Sequence, residues 1–105
     1  MQELEIDHIQ SCVNKKQIKW TEHCATRMFE RNISKIDVIN TILNGKIIEY
    51  YENAYPFPSC LILGKDDLNN MLHICVGVNA GFVYIITAYY PDDTEWEEDR
   101  ERRKQ

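Results

Sequence analysis

The sequence predicts an α+β fold, with N-terminal helices packed on one face of an antiparallel sheet of about four strands and a short C-terminal helix. Up to residue 44, apolar residues recur at helical spacing. Beyond Gly45, β-branched and aromatic residues cluster in short runs that turn residues separate. A length of 105 residues is that of one domain.

The first helix is predicted over residues 2–16. Ile6, Ile9 and Val13 fall at intervals of three and four, which places apolar side chains on one face of a helix. Residues 17–20 follow as a short strand or an edge segment.

Two further helices are bounded by residues that favour helix ends. Thr21 precedes a helix predicted over residues 22–31, and Ser34 precedes one predicted to end near Asn44. A hydroxyl at this position accepts a hydrogen bond from a backbone N–H of the first turn. Gly45 comes next, and we expect it to end the third helix in a left-handed conformation.

The second half of the chain has the pattern of strands. Strands are predicted over residues 47–51, 59–64, 71–78 and 82–90. Asn79–Gly81 is predicted as a three-residue hairpin loop, which would pair Val78 with Phe82 and set His73 opposite Thr87.

The C-terminal residues are strongly charged. A short helix is predicted over residues 94–103, with Trp96 as its apolar anchor. We expect a single domain over residues 1–105, with its N-terminal helix in residues 1–16 and a charged tail in residues 97–105.

Composition excludes several classes of protein. Mean hydropathy is -0.47. The longest apolar runs fall far short of the ~20 residues of a membrane span. Without a basic and then apolar leader, we expect a cytoplasmic protein that does not contact a membrane. The four cysteines lack zinc-ligand spacing, so we expect reduced core cysteines, no metal and no cofactor.

Charge is unevenly distributed along the chain. The net charge is -5, which is not typical of a strong nucleic-acid binder. The stretch from Lys15 to Lys46 nevertheless has seven basic and three acidic residues, a net charge of +4. The stretch from Asp92 to Gln105 has seven acidic and four basic residues, a net charge of -3.

The second predicted helix carries a candidate phosphate-binding pair. His23 and Arg27 are four residues apart and are therefore neighbours on the helix surface, with Arg31 at the edge of that face. Helical geometry puts the apolar residues on the opposite, core-facing side, namely Cys24, Ala25, Met28 and Phe29. Guanidinium binds phosphate as a fork, and imidazole can shuttle a proton. The alternative is an ordinary solvated helix face.

A second candidate group lies on the predicted sheet. Strand alternation places His73, Thr87 and Tyr89 on one face, where imidazole, hydroxyl and phenol can serve acid–base chemistry. The alternative is a half-buried histidine that is hydrogen-bonded to a neighbouring hydroxyl.

Residues 18–31, IKWTEHCATRMFER, resemble the opening of a small bacterial domain-of-unknown-function family, the one numbered forty-two fifty-eight. The resemblance spans residues 17–96, the family-like core. Further matching segments are residues 33–34, 37–39, 42–51, 58–64, 72–76 and 85–89, with Pro91 and Trp96.

That family is similar to the RelE, BrnT and MqsR group of bacterial toxins, which are small α+β ribonucleases. The resemblance implies a RelE-like fold and a metal-independent endoribonuclease that acts on RNA or at the ribosome. It also implies a partner, a zinc-finger antitoxin of the YgiT or MqsA type. The implied catalytic residues are His23, Arg27, His73 and Tyr89, and the implied substrate-binding residues are Arg31 and Thr87.

Two other functions stay open at the level of sequence. A non-catalytic domain that binds protein or RNA would use the tyrosine-rich sheet face for association and keep His and Arg as structural residues. An antiparallel sheet with an open edge also allows a homodimer.

Overall fold

The computed structural model describes residues 4–104. That part of the chain has a mixed α+β structure of three helices and five strands, in the order helix, strand, two helices and four strands. The helices are α1 (Ile6–Asn14), α2 (Glu22–Glu30) and α3 (Lys35–Asn44). The strands are β1 (Ile18–Trp20), β2 (Lys46–Tyr51), β3 (Ser59–Lys65), β4 (Met71–Asn79) and β5 (Phe82–Tyr89).

The sheet has the strand order β1-β5-β4-β3-β2. Strands β2 to β5 form the antiparallel meander expected from the sequence. β1 pairs in parallel with β5, so the sheet has five strands. The sequence predicted a sheet of about four strands, those of the meander. The three residues of β1 are too few for a periodic signal, because alternation needs four or more.

The register of the β4–β5 hairpin differs from the prediction. Asn79 pairs with Phe82, so the loop has two residues, Ala80 and Gly81, with φ of 52° and 81°. Two successive positive φ angles are typical of the tight turn whose twist matches that of the strands. A register shift after Cys75 moves β5 by one more residue, so that Cys75 pairs with Thr87 and His73 pairs with Tyr89. The predicted pairs Val78–Phe82 and His73–Thr87 are therefore wrong.

The helix starts follow the predicted capping chemistry. The Thr21 hydroxyl accepts a hydrogen bond from the Cys24 amide at 3.1 Å. Ser34 and Asp37 form a reciprocal capping box with two 3.0 Å hydrogen bonds. The predicted left-handed Gly45 is wrong, because its φ is -97°.

Gly45 is needed for space rather than for its backbone angle. A Cβ there would lie 2.5 Å from the Thr41 carbonyl oxygen and 2.7 Å from Ile62 Cγ2. The end of α3 therefore lies directly against β3, and a side chain at position 45 would separate them.

All three helices share one apolar core with a single face of the sheet. The helices contribute Ile9, Cys12, Val13, Cys24, Met28, Val38 and Ile42, and the strands contribute Cys60, Ile62, Leu72, Ile74, Val76, Val78, Val83, Ile85 and Ala88. Ala25 and Phe29 were expected on the core side of α2 but are exposed, Phe29 by 88%. The α2 contact is narrower than predicted, because only Cys24 and Met28 are buried.

The predicted helix over residues 94–103 is wrong. These residues lie instead in a hairpin-like turn, with Trp96 bridged to Arg103. The Asp99 carboxylate accepts the amides of Glu101 and Arg102 at 2.9 and 3.2 Å, a local bond that competes with helix formation. Residues 92–104 are called the C-terminal strap below.

In the described residues, every helix is too short or too polar to cross a membrane.

Candidate functional site

The face of the sheet opposite the helices carries most of the polar strand residues and is called the site face. Its side chains are Glu49 and Tyr51 on β2, Ser59, Leu61 and Leu63 on β3, His73, Cys75 and Gly77 on β4, and Tyr84, Thr87 and Tyr89 on β5. Directly paired residues share a face, so these side chains form rows across the strands.

The first row, at one end of the site face, pairs His73 with Tyr89. His73 is fully buried, and its Nε2 lies 2.7 Å from the carbonyl oxygen of Arg100. A carbonyl only accepts, so Nε2 carries the proton, and Nδ1 accepts from the Tyr89 hydroxyl at 3.3 Å. Burial lowers the pKa of His73, although the Arg100 carbonyl opposes that shift. His73 is thus a neutral imidazole with a fixed tautomer.

The neighbouring row runs from Glu49 through Leu61 and Cys75 to Thr87. Arg31, the residue that follows α2, contacts the β5 end of this row. The Arg31 guanidinium donates to the Ala88 carbonyl at 2.8 Å and to the Thr87 hydroxyl at 3.4 Å. A cation thus lies at the β5 edge of the site face, and a carboxylate lies on β2 at the other edge.

Glu49 is the most strongly engaged carboxylate of the site face. It accepts two hydrogen bonds from Arg103, at 2.8 and 3.0 Å, and one from Tyr51 at 2.6 Å. Burial raises the pKa of Glu49, but the bonds from Arg103 and Tyr51 outweigh it and hold the pKa below its usual range. Burial and the Glu49 charge raise the pKa of Tyr51. Glu49 is therefore ionised and Tyr51 protonated near neutral pH.

The last row is aromatic. Tyr84 packs against Phe57 with ring centroids 5.0 Å apart, and it pairs with Gly77 on one side and Lys19 on the other. A Cβ on Gly77 would lie 2.4 Å from the Phe57 ring. Gly77 therefore makes room for Phe57. Aromatic rings beside a lysine are groups on which nucleic-acid bases and phosphates can bind.

The C-terminal strap covers the His73 end of the site face. Trp96 is buried and meets the His73 ring edge-on at 4.4 Å between centroids. Arg103 lies over the Trp96 ring at 4.5 Å and bonds Glu49. Burial raises the pKa of Tyr89 to about 12, so its hydroxyl stays protonated.

The structure brings together four of the six residues predicted for a site. His73 and Tyr89 are hydrogen-bonded, and the next row joins Thr87 to Arg31. His23 is exposed on α2, whose apolar side packs on the other face of the sheet.

Arg27 is not part of this group either. Its guanidinium bonds Glu30 at 3.2 Å on the exposed surface of α2. Arg31 differs from Arg27 because it lies at the C-terminal end of the helix, where the sheet edge is within its reach.

Glu49 and Arg103 were not predicted at the site, and Trp96 was predicted only as the apolar anchor of a helix. Strand alternation could have placed Glu49 and Tyr51 on one face. Nothing local predicts that Arg103 reaches Glu49, because 54 residues separate them in the sequence.

Within residues 4–104, no three His, Cys, Asp or Glu side chains lie close enough together to hold a metal ion.

Comparison with known proteins gives a match to a family model. No curated protein and no solved structure matches the chain significantly. A family model described as a domain of unknown function, DUF4258, matches residues 20–90. The matched residues run from the end of β1 through α2 and α3 to just past β5. They are more than half of the sequence, and the chain belongs to the DUF4258 family.

Proposed function

We propose that the chain is a metal-independent endoribonuclease of the toxin type, and that RNA is cleaved at the site face. One observation carries the proposal. The strand register places a carboxylate, Glu49, and an imidazole, His73, on the same sheet face, and Arg31 supplies a guanidinium at its edge. These are the groups that RNA cleavage without a metal requires.

The reaction needs two proton transfers and one stabilised charge. A base takes the proton of a ribose 2′-hydroxyl, and the 2′-oxygen attacks the adjacent phosphorus. The bond from phosphorus to the 5′-oxygen breaks, and an acid gives that oxygen a proton. The products are a 2′,3′-cyclic phosphate and a 5′-hydroxyl. A guanidinium stabilises the charge that develops on the phosphate oxygens.

The roles follow from ionisation and position. Glu49 is ionised, because the bonds from Arg103 and Tyr51 hold its pKa down, so it suits the base. His73 suits the acid once its ring is protonated, with Tyr89 orienting the ring. Glu49 and His73 lie two strands and one row apart, about 12 Å between their backbones at normal strand spacing and rise, and their side chains can bracket one phosphate across that gap. Arg31 would bind the phosphate as a fork.

The resemblance to the RelE, BrnT and MqsR toxins supports the same proposal and adds its partners. It gives RNA or the ribosome as the target and a zinc-finger antitoxin of the YgiT or MqsA type as the inhibitor. The locally basic stretch from Lys15 to Lys46 offers positive charge for RNA although the whole chain is at -5.

The direct test is RNA cleavage by the purified full chain in EDTA. We expect fragments with 2′,3′-cyclic phosphate and 5′-hydroxyl ends. Glu49→Gln should reduce the rate about 100-fold, in the range of a lost general base, and Glu52→Gln should leave it unchanged. Glu52 is an exposed neighbour in the turn after β2 and makes a matched control. Equal rates in the two variants would remove Glu49 from the mechanism.

One observation favours a second candidate function, a non-catalytic domain that binds protein or RNA. His73 is fully buried and both of its ring nitrogens are hydrogen-bonded inside the chain, as expected for a structural histidine. The same experiment separates the two functions, because a non-catalytic domain would leave the RNA intact whether or not it binds the RNA.

A further inference from the structure

We propose that the C-terminal strap is an autoinhibitory element, which closes the site face over His73 and must lift before RNA can be cleaved. The inference rests on the proposed function and adds a mode of regulation to the same site. Three features carry it: the strap folds on itself, it is attached without strand pairing, and it occupies the groups that the chemistry needs.

The strap is organised by its own hydrogen bonds. The Glu97 amide donates to the Arg102 carbonyl and the Lys104 amide to the Glu95 carbonyl, each at 2.8 Å. The Arg100 amide donates to the Glu97 carbonyl at 2.8 Å and closes the turn. Because these bonds lie within the strap, it can leave the sheet as a unit without losing them.

The attachment of the strap to the sheet is of a different kind. Across residues 4–104, no backbone–backbone hydrogen bond joins the strap to a strand. Side chains and one carbonyl hold it: Trp96 against His73, the Arg103–Glu49 pair, and Lys46 to Glu101 at 2.9 Å. Lifting the strap therefore leaves every strand ladder intact.

A gap separates part of the strap from β2. A groove of about 480 Å³ is lined by Glu49, Glu97, Glu101, Arg102 and Arg103. The strap is thus packed closely at Trp96, and around the Arg103–Glu49 pair it borders this groove. The family match ends at residue 90, before the strap begins, so the matched residues contain the site face without its cover.

The strap occupies the two groups to which the proposed reaction assigns the proton transfers, His73 and Glu49. The Arg100 carbonyl holds His73 Nε2, and the Arg103 guanidinium holds the Glu49 carboxylate. Seven carboxylates and four basic side chains give the strap a net charge of -3. An acidic segment therefore lies where a polyanionic strand would bind, and the two exclude each other by volume and by charge.

Lifting the strap would also change the protonation of His73. Burial keeps its pKa below the usual value, so the closed site holds a neutral imidazole. Exposure to water returns an imidazole toward its ordinary pKa of about 6.5, where it can deliver a proton to a leaving oxygen.

The test uses Arg103→Glu in the full chain, which puts two carboxylates against each other at Glu49. Arg102→Glu is the matched control, because Arg102 is 77% exposed and bonds only within the strap, to Asp99. Hydrogen exchange reports the position of the strap. We expect exchange in residues 92–104 of Arg103→Glu to be about tenfold faster, with β4 as protected as in the wild type. RNA cleavage should rise by a similar factor, and Arg102→Glu should match the wild type in both measurements.

Each alternative outcome has its own meaning. Cleavage at the wild-type rate with a lifted strap overturns autoinhibition and leaves the proposed function standing. A lifted strap with no cleavage in any variant overturns the proposed function and autoinhibition with it. Loss of protection in β4 makes the strap part of the folded core and overturns the inference. If Arg103→Glu leaves exchange unchanged, Trp96→Ala removes the apolar anchor, and unchanged exchange there also overturns it.

Discussion

His73 is held by two hydrogen bonds that fix the tautomer of its neutral ring. Nε2 donates to the Arg100 carbonyl, and Nδ1 accepts from Tyr89. A second proton on Nδ1 would require the Tyr89 hydroxyl to rotate and accept, and the ring would carry a charge without water around it. Of the charged groups around it, Glu49 favours that charge, whereas Arg103 and Arg100 oppose it.

This environment makes the stability of the chain depend on pH. The folded-state pKa of His73 lies below its unfolded value, so its contribution is complete above about pH 6.5 and is lost as pH falls. From about pH 7.5 to about pH 5.5, we expect His73 to account for a loss of at most about 1.4 kcal/mol in the free energy of unfolding.

Urea unfolding of wild type and His73→Gln at the two pH values measures this loss. The variant should lose less stability on acidification than the wild type. His8→Gln is the control, since His8 is exposed on α1. If His73→Gln and the wild type lose equal stability, His73 is not the group that titrates.

The sequence predicted that His73, Thr87 and Tyr89 share a face, and they do although the predicted register is wrong. The two-residue loop and the register shift after Cys75 each move β5 by one residue against β4, and two such shifts return the same side chains to the same face. The alternative of a half-buried histidine bonded to a neighbouring hydroxyl agrees with the Tyr89 contact, but full burial of His73 was not predicted. The Arg100 carbonyl, which covers His73 Nε2, is 27 residues away in the sequence, and local patterns carry no information about that contact.

The helices were the most predictable elements, since their starts depend on residues within one turn. Thr21 and Ser34 cap α2 and α3 as expected. The hairpin loop was less predictable, because loops of two and three residues both accept Gly81, and the choice shifts the register of β5 against β4. The contact between α3 and β3 depends on two glycines, which local propensity describes only as helix or strand breakers.

The α3–β3 contact gives a prediction for Gly64→Ala. A Cβ at Gly64 would lie 2.2 Å from the Thr41 carbonyl oxygen and 2.8 Å from Thr41 Cγ2. The carbonyl belongs to the backbone of α3, so it cannot move away without shifting the helix. We expect a loss of about 3 kcal/mol in the free energy of unfolding, at the upper end for overpacking. Gly81→Ala meets no atom within 4 Å but keeps a φ of 81°, so about 1 kcal/mol is expected. Urea unfolding compares them, and equal losses would contradict the packing argument.

At the scale of the molecule, the α+β order and the meander follow from the sequence, whereas two long-range features do not. β1 joins the sheet beside β5, 65 positions away by register, as Ile18 pairs with Val83. The strap returns from the end of β5 across the site face to β2. Both are pairings of short or irregular segments, which have too few residues for periodicity to report.

The strap also decides how the site is to be tested. The closed strap is expected to hold wild-type cleavage about tenfold below that of an open site, so the wild type gives the weaker signal. Arg103→Glu is expected to release the strap and changes no residue assigned to base, acid or phosphate binding.

The most direct test compares Arg103→Glu with the double variant Arg103→Glu, His73→Gln on one end-labelled RNA in EDTA. We expect the single variant to produce fragments ending in 2′,3′-cyclic phosphate. The double variant should be about 100-fold slower, since a lost general acid costs that much. Intact RNA with a folded single variant, or equal rates in the two, would contradict RNA cleavage at the site face.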